Sequence, residues 1–203
     1  RILLATGAMY PEPGGAPIVA PHAGLAASDA AAALLAGWVY KDSQAYSPLG
    51  EVREVDLLQF RGASGARARE GVGRTWLLDA ARLTAVPADV DLAAREAREG
   101  TTDGLGEALA QALTLVGAGD TLVVGLARSA VHDGGRGLLD GLGGPTAAHA
   151  LFEGREVLLA LADGIALGGL AGAGQALTTL TALSPAEAQE RDRLACTAAS
   201  QAI

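Results

Sequence analysis

The chain is poor in cysteine and aromatic side chains and has no surplus of positive charge. Cys196 is the lone cysteine among 203 residues. That excludes an internal disulfide and any Cys-x-x-Cys pair, so a reducing, cytoplasmic setting is the default expectation. Aromatics make up 3% of the residues, so the core has to be built from Ala, Leu and Val. Acidic residues outnumber basic ones, 23 to 15, for a net charge of −8. A chain of that sign repels phosphate backbones, and nucleic acid is excluded as a partner unless a local basic patch overrides the balance. Arg67, Arg69 and Arg74 form no such patch, being spread along a Gly-rich loop. An initiator methionine is also missing: the chain opens on Arg1, so something upstream is expected to have been removed, processed or left out. The opening residues carry no signal-peptide pattern. Residues 164–183 carry no charge, but they are Gly-, Ala- and Thr-rich and lack the Leu/Ile/Phe density that drives insertion, so no membrane span is expected.

Half of the residues are hydrophobic, enough for a sizeable core, and the length suits one domain or one domain plus part of another. Residues 121–137 organise the chain. Leu122 to Val124 reads as a short buried strand. Gly125 to Gly135 is a loop holding Ser129, His132 and Asp133, and Gly137 to Leu142 reads as the start of a helix. Such a loop either exposes backbone N–H groups to an anion at the helix start or is only a tight connection.

Around that centre, Arg1 to Ala5 and Pro17 to Ala20 read as strands, and Ala30 to Ala36 as a helix started by Ser28-Asp29. Trp38 and Tyr40 are expected at the core or an edge, and Lys41 to Gly50 as a crossing between two parts of the fold. Glu51 to Phe60 alternates as a half-exposed antiparallel strand does. Residues 62–73 read as a Gly/Arg-rich loop. Thr75 to Leu78 is a strand ending at Asp79, and Asp91 to Glu99 an exposed helix. Leu105, Leu109, Ala112, Leu113 and Val116 share one helical face, with Gly117 as its expected C-cap. Glu156 to Leu161 is a last buried strand, with Asp163 at its end. Ser184-Pro185-Ala186-Glu187 is a capping box with Pro at the first helical position. Strands and helices alternate in the second half, so the fold class is α/β with a mixed sheet and flanking helices.

Several motifs in series resemble the bacterial type I glycerate kinases. Residues 125–142 are similar to that family's Gly-x-Gly-Gly-Ser-Ala-Thr-Asn-Asp-Gly-Gly-x-Gly signature, matched at Ser129, Ala130, Asp133, Gly134, Gly135 and Gly137. Thr101 to Glu107 resembles its Thr-Ser-x-Gly-x-Gly-Glu helix start. Ser47 to Glu51 resembles its Gly-Pro-Leu-Gly element, and Thr75 to Ala81 its Thr-Ala-x-Ile-Glu-Met-Ala strand, with Asp79 at the Glu position. Val19 to Pro21, Leu25, Ala27, Ala30 and Gly37 follow its first strand and helix. The resemblance implies the inserted α/β domain (48–203) plus a partial Rossmann- or flavodoxin-like segment (1–47). It implies phosphoryl transfer from ATP to glycerate with Mg²⁺, a small-molecule substrate and a possible homodimer.

The departures imply an alternative. His22-Ala23-Gly24 replaces the segment bearing the family's Lys, no counterpart of its acidic loop is present, and Arg128, Val131 and His132 replace loop residues. Phosphoryl transfer depends on neutralising the transferring group. The chain is therefore either a glycerate kinase or a catalytically degenerate relative that binds a small carboxylate or a protein partner.

Each candidate side chain carries two readings. Asp133 is a metal contact or general base, or a cap on the following helix. Ser129 binds substrate or phosphate, or bonds its own loop. Arg128 grips an anion, or blocks the close approach that Gly allowed. Gly134 and Gly135 hold phosphate, or only turn the chain. Thr101, Thr102 and Asp103 are helix caps, with Thr102 also a substrate contact. Asp79 and Asp163 line the cleft or close turns. His132 binds metal or is a packing histidine; His22 and His149 are assigned no function.

Overall fold

The structure, a computed structural model, describes residues 38–60, 73–161 and 164–202. The strands read at 1–5 and 17–20, the helix at 30–36, the loop at 62–72, His22 and Asp163 lie outside the described residues. Strands β1 (Trp38–Tyr46), β2 (Val52–Phe60), β3 (Thr75–Asp79), β4 (Thr121–Gly125) and β5 (Glu156–Ala160) form one sheet in the order β1-β2-β3-β4-β5. The first two pairings are antiparallel and the last two parallel, so the sheet is mixed, as expected.

Helices join the parallel strands. Between β3 and β4 come α1 (Ala81–Thr84), α2 (Val90–Glu99) and α3 (Asp103–Leu115); between β4 and β5 come α4 (Arg136–Gly141) and α5 (Pro145–Phe152). Helices α6 (Ala173–Leu180) and α7 (Pro185–Ala202) follow β5. The apolar face read on α3 is its buried face: Leu109, Ala112, Leu113 and the adjoining Val116 pack with Val55, Leu57, Trp76, Leu78, Leu122 and Val124 of the sheet. Leu58 and Leu77, paired across β2 and β3, are buried on the other face. A second cluster joins Ala94 and Ala97 of α2 to Ala130, Leu177, Leu183 and Ala188. Each fully buried Leu or Val contributes about 1.5–3 kcal/mol relative to exposure.

Four readings are revised. Residues 41–46 continue β1 rather than crossing between parts of the fold, and the segment after them closes a hairpin through Ser47 N–H to Glu51 O at 2.7 Å. Polar side chains at a sheet edge resemble a loop in sequence, because an edge strand is kept polar. Helix α2 is not simply exposed: Ala93, Ala94, Glu96 and Ala97 are buried. Strand β5 is only half-buried apart from Ala160, because it lies at the edge of the described sheet. Val116, in extended conformation, is the C-cap of α3 rather than Gly117, whose N–H instead donates to Asp120 Oδ2 at 3.0 Å. Only residues 173–180 of the charge-free stretch are helical; among the described residues no helix is long and apolar enough to cross a membrane.

Candidate functional site

The carboxyl ends of the parallel strands lie level, with Asp79 opposite Gly125 and Gly125 opposite Ala160. The loops leaving these ends are where open α/β sheets bind ligands. A cavity of about 310 Å³ lies here, between the loop after β4 and helix α6. Arg128, Ser129, His132 and Thr102 line it together with Ile165, Leu177 and Leu180. Three of the sequence-predicted site residues, Thr102, Arg128 and Ser129, are thus brought together. Arg128 is exposed, and its carbonyl accepts the Val86 N–H at 2.9 Å, tying the loop to the α1–α2 connection. Ser129 Oγ accepts the Val131 N–H at 3.0 Å, a local turn that shapes the loop.

Asp133 is not in the cavity lining. Its Oδ2 accepts from Thr102 N–H at 2.8 Å, Thr102 Oγ1 at 2.8 Å and Gly137 N–H at 3.3 Å, and its Oδ1 from Gly135 N–H at 2.9 Å. Three of these donors converge on Oδ2 and one on Oδ1, so the side chain brackets the starts of α3 and α4. Thr102 is committed to the same bracket: its Oγ1 also accepts the Leu138 N–H at 2.8 Å, so it caps α4 rather than its own helix. Thr101 bonds Asp103 through its hydroxyl, as the cap reading expected.

Of the two glycines read as phosphate contacts, Gly134 serves packing and Gly135 a left-handed turn. Gly134 has φ +68°, and a Cβ there would meet Ala195 O of α7 at 2.1 Å. Gly135, also left-handed at φ +79°, spends its N–H on Asp133. Helix α4 has only six residues. Asp79 is fully buried and outside the lining; its Oδ1 accepts the Ala81 N–H at 3.2 Å and Arg82 Nε lies 3.9 Å from Oδ2. It closes the β3–α1 turn, which corrects its reading as a substrate contact. Among the described residues, no group of three or more His, Cys, Asp or Glu is arranged to hold a metal.

Sequence reasoning missed Asp192 of α7. His132 is buried, and its Nε2 lies 3.4 Å from Asp192 Oδ1. The partners are 60 residues apart, and no local pattern joins them. Also missed was Glu96, fully buried with neither oxygen hydrogen-bonded and Arg53 Nη2 at 3.8 Å. Burial pushes its carboxyl above the ordinary range; Arg53 pulls it down and Glu51 adds to the rise. Away from the site, Asp120 Oδ1 accepts from Arg74 N–H at 2.7 Å and its Oδ2 from Trp76 Nε1 at 3.0 Å. Burial opposes the charge on Asp120, but these bonds, the Gly117 N–H and the Arg74 charge outweigh it and hold the carboxyl below its ordinary value.

No protein-family model and no curated protein matches the chain. Among solved structures, it is similar to one described as "putative glycerate kinase 2" from Salmonella typhimurium LT2, with a TM-score of 0.60 and 20% identity. The likeness covers 91% of this chain and 51% of that one, so the chain spans about half the length of the structure it matches. The chain has a glycerate-kinase-like α/β fold.

Proposed function

We propose that this glycerate-kinase-like protein takes a small hydroxy carboxylate, of the size and charge of glycerate, in the cavity beyond β4 and β5. In this reading the described residues bind it without transferring phosphate. The observation that carries the proposal is the cavity itself, which the cationic Arg128 lines with Ser129, Thr102 and His132. A guanidinium suits a carboxylate because it offers two parallel donors. The apolar lining of Ile165, Leu177 and Leu180 keeps water off the ligand's carbon skeleton. Asp133 stands outside the cavity lining, bracketing two helix starts, which supports binding over transfer.

A second reading is favoured by one observation: the chain spans 51% of its structural neighbour. Here the same cavity is the acceptor side of an ATP-dependent glycerate kinase, and the nucleotide and Mg²⁺ are held by residues other than those described. Isothermal titration with D-glycerate and with ATP·Mg²⁺, followed by a coupled ADP assay, separates the two. Saturable glycerate heat without ADP formation is expected. ADP release dependent on glycerate would establish the second reading, and no glycerate heat at all would sink both.

A further inference from the structure

We propose that His132, held by Asp192, recognises the ligand's hydroxyl group and makes the cavity selective for hydroxy acids over plain carboxylates. This inference rests on the small-carboxylate reading of the cavity. The imidazole lines the cavity, yet its side chain is only 6% exposed, so it is a fixed wall group rather than a surface histidine. Its Nε2 faces the Asp192 carboxylate at 3.4 Å. A carboxylate accepts only, so Nε2 must carry the hydrogen, and in the neutral ring Nδ1 then keeps its lone pair. Among the described residues, Nδ1 has no hydrogen-bond partner and is not among the sealed, unsatisfied atoms. The hydroxyls of this lining are in part already engaged. Thr102 Oγ1 already donates to Asp133 and accepts from Leu138, and Ser129 Oγ already accepts from Val131. Arg128 offers donors only. A ligand hydroxyl donating to Nδ1, with its carboxylate at Arg128, uses both kinds of group.

Asp192 faces the ring from α7, Arg128 lines the same cavity, and Asp133 is next in the chain. Helix α6 brings no titratable group. Protonating the ring removes the Nδ1 acceptor, so the hydroxyl contact, and with it the preference for the hydroxy acid over the plain carboxylate, is lost in acid.

The test uses the full chain and two probes, D-glycerate and propionate, titrated calorimetrically across the His132 midpoint. That midpoint is read by imidazole NMR, with the signal assigned by its absence in His132→Asn. We expect the neutral ring in its Nε2–H form, and the preference for glycerate over propionate lost in acid across that midpoint. His132→Asn, which removes the titrating ring, should lose the pH dependence. An Nδ1–H ring, a preference for glycerate that persists in acid, or the same profile for both probes would overturn the hydroxyl role while leaving the cavity reading intact. No glycerate heat at any pH would overturn both.

Discussion

Asp133 shows how one residue's geometry changes its expected work. In sequence it sits where a base or metal ligand belongs; in the fold, it accepts four hydrogen bonds from Thr102, Gly135 and Gly137. Asp133→Ala leaves those donors unpaired between two helix starts and should cost about 2–4 kcal/mol in denaturant unfolding. An unchanged unfolding midpoint would return Asp133 to the candidate reactive groups. Glu96 is the opposite case, a buried carboxyl with no hydrogen bond. Its proton is held to higher pH in the folded chain than the ordinary value of 4.5. Between that value and the raised one, the native state binds more protons than the unfolded state, so stability falls as pH rises through the window. Glu96→Gln should flatten that part of the stability–pH curve and be no less stable than the parent at neutral pH. A variant curve parallel to the parent's would show that Glu96 is not protonated in the fold.

At the level of the element, the most legible feature was the last helix. Ser184 Oγ accepts the Glu187 N–H at 3.3 Å and donates to Glu187 Oε2 at 2.7 Å, while Glu187 also accepts the Ser184 N–H at 2.8 Å. Arg98 Nε reaches Glu187 Oε1 at 2.8 Å, so the local box also ties α7 to α2. Together these bonds, Arg98's foremost, pull the Glu187 carboxyl down to about 2. Its contribution is therefore present above the ordinary value of 4.5 and is lost as pH falls toward about 2. Ser184→Ala should cost about 1 kcal/mol, and a thermal melt that does not move would sink the box as a stabilising device. The strands β2, β3 and β4 were legible because each has one buried, aliphatic run. Strand β1 was not, because its polar residues mark an edge. Helix α5 carried a readable sign, Pro145 at its first turn, that composition alone obscured. In the α3 start Gly106 is there for packing: a Cβ would meet Leu138 O at 2.3 Å.

At the scale of the whole molecule, a ligand that binds only the folded chain must stabilise it. D-glycerate at a hundredfold its Kd should add about 2.7 kcal/mol, a rise of roughly 5–10 °C in Tm for a chain of this size. A melting curve indifferent to saturating glycerate would argue against the cavity as its site. Composition, periodicity and caps determined the α/β class, most of the described strands, the buried face of α3 and the start of α7, because these depend on neighbours a few residues away. The motif order pointed to the glycerate-kinase-like fold. Tertiary structure alone decided which polar groups are spent and which remain available. Thr102 meets Asp133 across 31 residues and His132 meets Asp192 across 60. A side chain's chemistry depends on the donors and acceptors that surround it, and those are set by packing between distant segments rather than by spacing along the chain.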